Sequence, residues 1–398
     1  MSATDEFGNY SANTHRPAQS WQRSWEEKSM SKLRHISLAA MTTVLALAGA
    51  GTASAQAAAQ TGARVMVPNQ KPAAESDRVA AGYVAPRLSF GQPDLSGVWS
   101  NASNTRMTRP GTMKALVMSD EEEAKARAAN PSNIRQETDD NQGIGDGLLD
   151  GKDLASGRGY NSFWIDPGNT YANVKGTWRT SWIVDPSSGQ VPFSEAGRKL
   201  APSLRGGRGR GTGYDNPEER GAGERCIVGF GGTGGPPMMN VLYNNNYQIV
   251  QSPDHVVIVV EMNHDARIIP LNAQHKPGVL NQWLGDSIGW WEGDTLVVET
   301  INMNPEGGSQ VQLTAGGKIV ERFTRYSDTQ VLYEFEVDDP QLYSQVWKGE
   351  VGLNRVDDSV YEYACHEGNH GLLGILEGGR AADREGRNIS EKGDRDEG

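Results

Sequence analysis

Alternation of apolar and polar residues governs the second half of the chain. In Gln330-Val331-Leu332-Tyr333-Glu334-Phe335-Glu336-Val337-Asp338 the side chains of Val331, Tyr333, Phe335 and Val337 share one face and mostly polar groups share the other. That period of two marks a half-buried strand. Ser327-Asp328 supplies turn residues that join it to a strand over 319–326. Gly289-Trp290-Trp291 turns through Glu292-Gly293-Asp294 into 295–300, a hairpin with glycine where positive φ is easiest. Segments 256–261 with 266–271, and 346–353 with 360–365, bring the total to at least seven strands from residue 247 onward. Short connections and little helix for parallel crossovers predict a mainly β protein. Its antiparallel meander would close into a lipocalin-like barrel, because closure removes exposed strand edges.

The first half is punctuated differently. Ser119-Asp120-Glu121-Glu122 is a capping box followed by helix formers over 123–129, which predicts one short N-terminal helix. Residues 130–158 and the stretch containing RGGRGRGTGY and GFGGTGGPPMM read as long loops. The glycines lack the Gly-Lys-Ser/Thr ending and strand-then-helix context of a phosphate loop. From Met30, the sequence MSKLRHISLAAMTTVLALAGAGTASAQA has a basic head at Lys32, Arg34 and His35, an apolar core, and the small-residue cleavage pattern Ala53-Ser54-Ala55. The apolar run is shorter than the roughly 20 residues a bilayer needs. The expected organisation is a leader or over-extended start over 1–29, a signal peptide over 30–55, a disordered lead-in over 56–93, one β-rich domain over 94–380 and a polar tail over 381–398. Such a chain is exported, to the periplasm or beyond.

Charge and cysteines narrow the partners. A formal net charge of −12 disfavours nucleic acid and anionic lipid. In an oxidising compartment the only two cysteines, Cys226 and Cys365, form a disulfide by default, with a free thiol nucleophile as the alternative. Oligomeric state stays open.

Candidate chemistry begins at His366-Glu367-Gly368-Asn369-His370, a formal match to HExxH. Zinc chemistry needs that motif on a helix, where histidines four apart share a face and the glutamate activates metal-bound water. Gly368 and Gly371 are poor helix residues, and Leu373 stands where the extended motif requires glycine. The leading expectation is therefore no cofactor. A divalent metal such as zinc on His366 and His370, with Glu367, is the alternative. His264 and Asp265 fall at the tip between 256–261 and 266–271, and Arg267 opens the return strand. If that tip meets His366 and Glu367 at one rim, the five residues suit general acid–base chemistry or a metal site. The plainer reading makes them a turn cap and strand ties. Tyr243, Asn245 and Tyr247, with Trp290 and Tyr363, offer donors, acceptors and flat faces for a hydroxyl-rich ligand. An asparagine-rich turn is the plainer reading there. Of Trp290 and Trp291, adjacent in a strand, one must face inward. Glu299, Glu321, Glu334 and Glu336 lie near Arg322 and Arg325, and cross-strand pairing accounts for them.

YNNNYQIVQ, EMNHDARIIPL, LGDSIGWWEGDTLVVETIN, ERFTRYSDTQVLYEFEVDDP and EYACHEGN, with DLSGVW and RTSWIVDP upstream, give the chain a resemblance to a large, uncharacterised family of exported bacterial proteins. The match covers roughly residues 94–380. That family carries an aromatic residue where this chain has His370. The Gly97-Val98-Trp99 start and the WEGDTLVV hairpin resemble lipocalin-like barrels, which implies a small apolar ligand and, in some members, isomerase or hydratase activity. The functional expectation is an exported β-barrel-like protein that binds, and in one version transforms, a small organic ligand at the His/Asp/Arg/Glu rim. A metal-assisted hydrolase and a non-catalytic envelope binding module are the alternatives, so enzyme status is open.

Overall fold

The computed structural model describes residues 78–134, 167–204, 214, 216–276, 281–307 and 310–387. The chain divides into Met1–Ala63 and Arg64–Gly398, and everything described lies in the second unit. The expected leader, signal peptide and most of the 130–158 loop lie outside the described residues.

Thirteen strands are formed among the described residues: β1 Gly97–Ser100, β2 Val117–Met118, β3 Asn173–Val174, β4 Thr177–Arg179, β5 Ile183–Asp185, β6 Asn246–Gln251, β7 His255–Val260, β8 Ala266–Pro270, β9 Asp286–Glu292, β10 Thr295–Ile301, β11 Lys318–Arg325, β12 Gln330–Asp338 and β13 Trp347–Val356. Among the helices are α1 Asp120–Ala128, α2 Glu195–Leu200 and α3 His370–Arg384, and residues 131–134 are also helical. The main sheet runs β8-β7-β6-β1-β13-β12-β11-β10-β9, with β5 added on β13, and β2-β4-β3 form a small second sheet. Every strand pairing is antiparallel.

Alternation produces these pairings. Val331, Tyr333, Phe335 and Val337 on β12 are all fully buried, while Glu334 and Glu336 between them are half-buried. Burying each aromatic side chain stabilises by about 1.5–3 kcal/mol. They join an aromatic core in which Phe323 stacks on Tyr333 at 4.8 Å and Phe335 meets Trp347 edge-on at 5.8 Å. The capping box forms as its spacing dictates: Ser119 Oγ accepts from Glu122 N–H at 3.2 Å, and Ser119 N–H donates to the Glu122 carboxylate at 2.9 Å.

No closed barrel is found. The edge strands β8 and β9 meet only at an isolated parallel bridge between Leu271 and Gly289, where Asn272 N–H donates to Gly289 O at 2.7 Å. Glycine is required at that approach, since a Cβ on Gly289 would lie 2.9 Å from Ile269 Cγ2. The expected strand over 360–365 is also absent, and β13 ends at Val356. The reason lies in where its backbone donors go. Tyr361 N–H donates to the Glu261 carboxylate at 3.3 Å and Tyr363 N–H to His264 Nε2 at 3.1 Å, so side chains satisfy groups that a ladder would otherwise claim.

Two boundaries also differ from the sequence reading. Residues 78–93, expected in the lead-in, lie against the sheet: Ala80 N–H donates to Tyr326 O at 3.0 Å, and Arg78 pairs with Glu334 at 2.7 Å. Beyond the expected domain end, α3 continues to Arg384, with Leu376, Gly379 and Ala382 buried.

A buried charge pair sits in the core. Arg267 on β8 and Glu321 on β11 are fully buried and bonded through two N–H···O contacts, although many strands separate them in sheet order. The sheet therefore curls over a polar centre. Tyr333 Oη donates to Glu321 at 2.7 Å and accepts from Met238 N–H at 3.0 Å, which ties the Gly-rich segment to the core.

Candidate functional site

The expected rim does not assemble as one site. His264 and Asn263 both adopt positive φ, at 51° and 61°, in the tight connection between β7 and β8. His264 Nε2 is occupied by Tyr363 N–H. Asp265 accepts from Gly229 N–H at 2.8 Å and from Asn263 Nδ2 at 3.2 Å. Burial raises the Asp265 pKa above the ordinary carboxylate value, and these two donors oppose the rise. Beside it is a cavity of about 30 Å³, the room of about one water. Arg267 points the other way, into the core and onto Glu321. His366 and Glu367 are exposed on a turn.

That turn explains the HExxH match. Residues 365–369 form turns, and Asn369 is the N-cap of α3, its side chain accepting from Leu372 N–H at 3.3 Å. His370 is the first helical residue and His366 lies before the helix, so the pair has no common helical face. Among the described residues, no group of three or more His, Cys, Asp or Glu could hold a metal. The segment is held by other means. Asn369 Nδ2 donates to Glu224 O at 2.7 Å, and Cys365 is bonded to Cys226 with Cα atoms 5.8 Å apart.

The expected ligand set also disperses. Tyr243 and Tyr363 stack with centroids 6.5 Å apart, and burial followed by the neighbouring Tyr243 raises the Tyr363 pKa. Asn245 closes its own turn, accepting from Val241 N–H at 2.8 Å and donating to Val241 O at 3.0 Å. Tyr247 is buried in the core, where its hydroxyl accepts from Asn101. Trp290 bonds Glu292 at 3.0 Å, while Trp291 packs on the core, as the inward and outward alternation requires. Of the paired charges, Arg322 reaches Glu336 at 2.8 Å. Arg325 instead caps the carbonyls of Asp94, Ser327 and Asp328 and covers Trp99 at 4.8 Å.

A larger space lies elsewhere. A cleft of about 710 Å³ opens between residues 103–108, 190–193, 240–242 and 310–312, with Tyr343 and Trp347 in its lining. That size suits a small organic ligand. Its chemistry follows from how the lining amides are spent. Gln190 Nε2 donates to Arg109 O at 2.8 Å, Gln310 Nε2 to Asn240 O at 3.1 Å, Asn104 Nδ2 to Asn133 at 3.0 Å and Gln312 Nε2 to Ala201 O at 3.3 Å. Each amide thus holds the protein with a donor and leaves its oxygen as an acceptor. The Gln312 oxygen is buried with no hydrogen-bond partner. A buried acceptor left unmade costs about 1–3 kcal/mol, and this one is shut off from the open cleft by its own burial. Trp347 Nε1 is likewise buried without a partner. Its ring meets Tyr343 edge-on at 5.7 Å, and its N–H lowers the Tyr343 pKa slightly without completing a hydrogen bond. Burial, then the Asp339 charge, dominate and raise that pKa.

These lining residues come from several separate segments, mostly loops, and carry no periodicity, and sequence reasoning passed over them. The one usable signal was the density of Asn, Gln, Ser and Thr without acidic residues in Asn101-Ala102-Ser103-Asn104-Thr105.

A separate charged cluster sits at the β9–β10 end. His275 Nδ1 lies 3.0 Å from Asp286 and its Nε2 lies 3.3 Å from Glu299, which also pairs with Lys318 at 3.4 Å. Burial alone would lower the His275 pKa, but the hydrogen bonds with Glu299 and Asp286 outweigh it and raise the pKa above the ordinary 6.5. The hydrogen bond from His275 chiefly lowers the pKa of Glu299. A raised folded pKa means the His275 contribution is complete below its unfolded value and is lost as pH rises through the folded value. For Glu299 the sign reverses: its contribution is lost as pH falls through its lowered value. This contribution to stability should therefore be lost as pH rises above 6.5, and His275→Gln should flatten that fall. Tm measured from pH 5 to 9 checks this, and an unchanged slope in the variant would count against the cluster.

The comparisons with known proteins return no match: no protein-family model, no curated protein and no solved structure matches the chain.

Proposed function

We propose that this is an exported protein that binds a small hydroxyl-rich organic ligand, without covalent chemistry, in the 710 Å³ cleft. The observation that carries the reading is the size of the cleft together with its amide- and hydroxyl-rich wall, in which Ser103, Asn104, Thr105, Gln190 and Gln310 stand beside Tyr343 and Trp347. Hydroxyl groups are the donors that amide oxygens accept. Export is supported by the signal-peptide pattern ending at Ala55 and by the Cys226–Cys365 disulfide, which persists in oxidising compartments. No described helix is long and apolar enough to cross a membrane. Membership of the exported bacterial family and a lipocalin-like ancestry for the curled sheet belong to the same proposal. The five rim residues have no catalytic part in it, because Arg267 and Asp265 are committed inside the protein.

Binding can be measured by calorimetry and saturation-transfer NMR against neutral hexoses, disaccharides and polyols. At least one should bind, and Gln310→Met, which keeps volume but removes an amide from the cleft wall, should weaken it about three- to tenfold. Unchanged affinity in Gln310→Met, or no binding by any member, would remove the reading.

A further inference from the structure

Among the described residues the cleft has one charged lining residue, and it is positive. Arg106 is exposed at the cleft wall, and no aspartate, glutamate, lysine or histidine lines the space with it. Its backbone is fixed: Arg106 O accepts from Trp182 N–H at 2.9 Å, and the residue bridges to Ser181. Its guanidinium is free, because among the described residues no carboxylate lies within ion-pair distance. Neighbouring arginines behave otherwise. Arg179 pairs with Glu350 at 2.9 Å, and Arg109 donates to Ser187 O at 2.9 Å. Among the described residues Arg106 is thus the charged group of the cleft wall without a carboxylate partner, and the one suited to meet an anionic end of a ligand.

Resting on the cleft reading above, we propose that the ligand is a sugar acid: a hydroxyl-rich body carrying one carboxylate, with the carboxylate on Arg106 and hydroxyls on Gln190 and Gln310. The planar guanidinium matches a carboxylate with two parallel N–H···O bonds, which a lysine would not provide. One arginine balances one negative charge. A phosphate dianion would call for further cations, and among the described residues none lines this cleft beside Arg106. The amide oxygens of Gln190 and Gln310 would repel a ligand with several anionic groups, so charge and hydroxyls must sit at different ends of the molecule.

The full chain should be titrated calorimetrically at physiological ionic strength with D-glucuronate, D-galacturonate and D-mannuronate, their neutral hexoses, the matching disaccharides and a hexose 6-sulfate. At least one uronate sugar should bind about tenfold or more tighter than its neutral counterpart. Arg106→Gln should bring that ratio to within about threefold, and Arg106→Lys should retain part of the preference. Arg106 is exposed, so these variants should keep the wild-type Tm. If neutral sugars bind wild type as tightly as the acids, or the preference survives Arg106→Gln, the acid inference fails and the cleft reading stands. Tighter binding of the sulfate also overturns it. If no sugar of either kind binds, both fall together.

Discussion

Arg267→Met should destabilise the protein by about 3–5 kcal/mol, because it leaves the Glu321 carboxylate fully buried without its counter-charge. Burial sets the size of the effect. Both members of the pair are shielded from water, and replacing one removes two charge-assisted hydrogen bonds while the other keeps its desolvation cost. The remaining partner cannot compensate: Tyr333 already donates to Glu321 and holds Met238 N–H in turn. Burial and the Glu321 charge raise the Tyr333 pKa well above its ordinary value, so the hydroxyl remains protonated and donating. The double variant Arg267→Met/Glu321→Leu should recover most of the loss, since an apolar pair of similar volume commonly equals or exceeds a buried ion pair. Urea midpoints at constant m-value give the comparison. A single-variant cost below about 1 kcal/mol would mean that water reaches the pair. A double variant no better than Arg267→Met would mean that the pair also fixes the curl of the sheet.

This pair shows what the sequence could and could not reveal. The strands were legible because alternation is local: β12 reads directly from its period, and the β9–β10 hairpin from Glu292-Gly293-Asp294. The α1 capping box was legible for the same reason. Arg267 looked like a rim residue because it follows the turn at His264-Asp265, yet one step of alternation turns it inward, and its partner lies 54 positions later on a distant strand. No local pattern carries that pairing. The segment over 360–365 has strand-like composition, but the Glu261 and His264 side chains capture its donors, a tertiary event that propensity does not encode. HExxH misled for a local reason, since Asn369 caps the helix between the two histidines. The cleft was the least legible feature, because its specificity lies in which end of each amide faces inward.

Cys226 and Cys365 close the longest covalent loop in the described fold, with a sequence separation of 139, and the Cys226→Ser/Cys365→Ser variant should lose about 2–5 kcal/mol. The chain-entropy model puts so long a loop near the upper end of that range. The loss should also have a location. Cys226 stands at φ 54°, a left-handed conformation that costs a non-glycine residue on the order of 1–2 kcal/mol and that the crosslink holds in place. Without it, Cys226 should relax, and Asn369, which bonds both Glu224 O and Cys226 Sγ, should lose its seat. The segment that follows β13 would then be held mainly by the two side-chain bonds at Tyr361 and Tyr363. Hydrogen exchange should therefore accelerate first at those two amides and through α3, while β11 and β12 keep their protection. Replacing Cys226 with glycine instead of serine, with Cys365→Ser in both, should return part of the stability, because glycine takes the positive φ without strain. Equal stability in the two double variants would show that the conformation at 226 relaxes freely. Wild-type exchange at Tyr361 and Tyr363 in the serine variant would show that the side-chain bonds to Glu261 and His264 hold the segment without the disulfide.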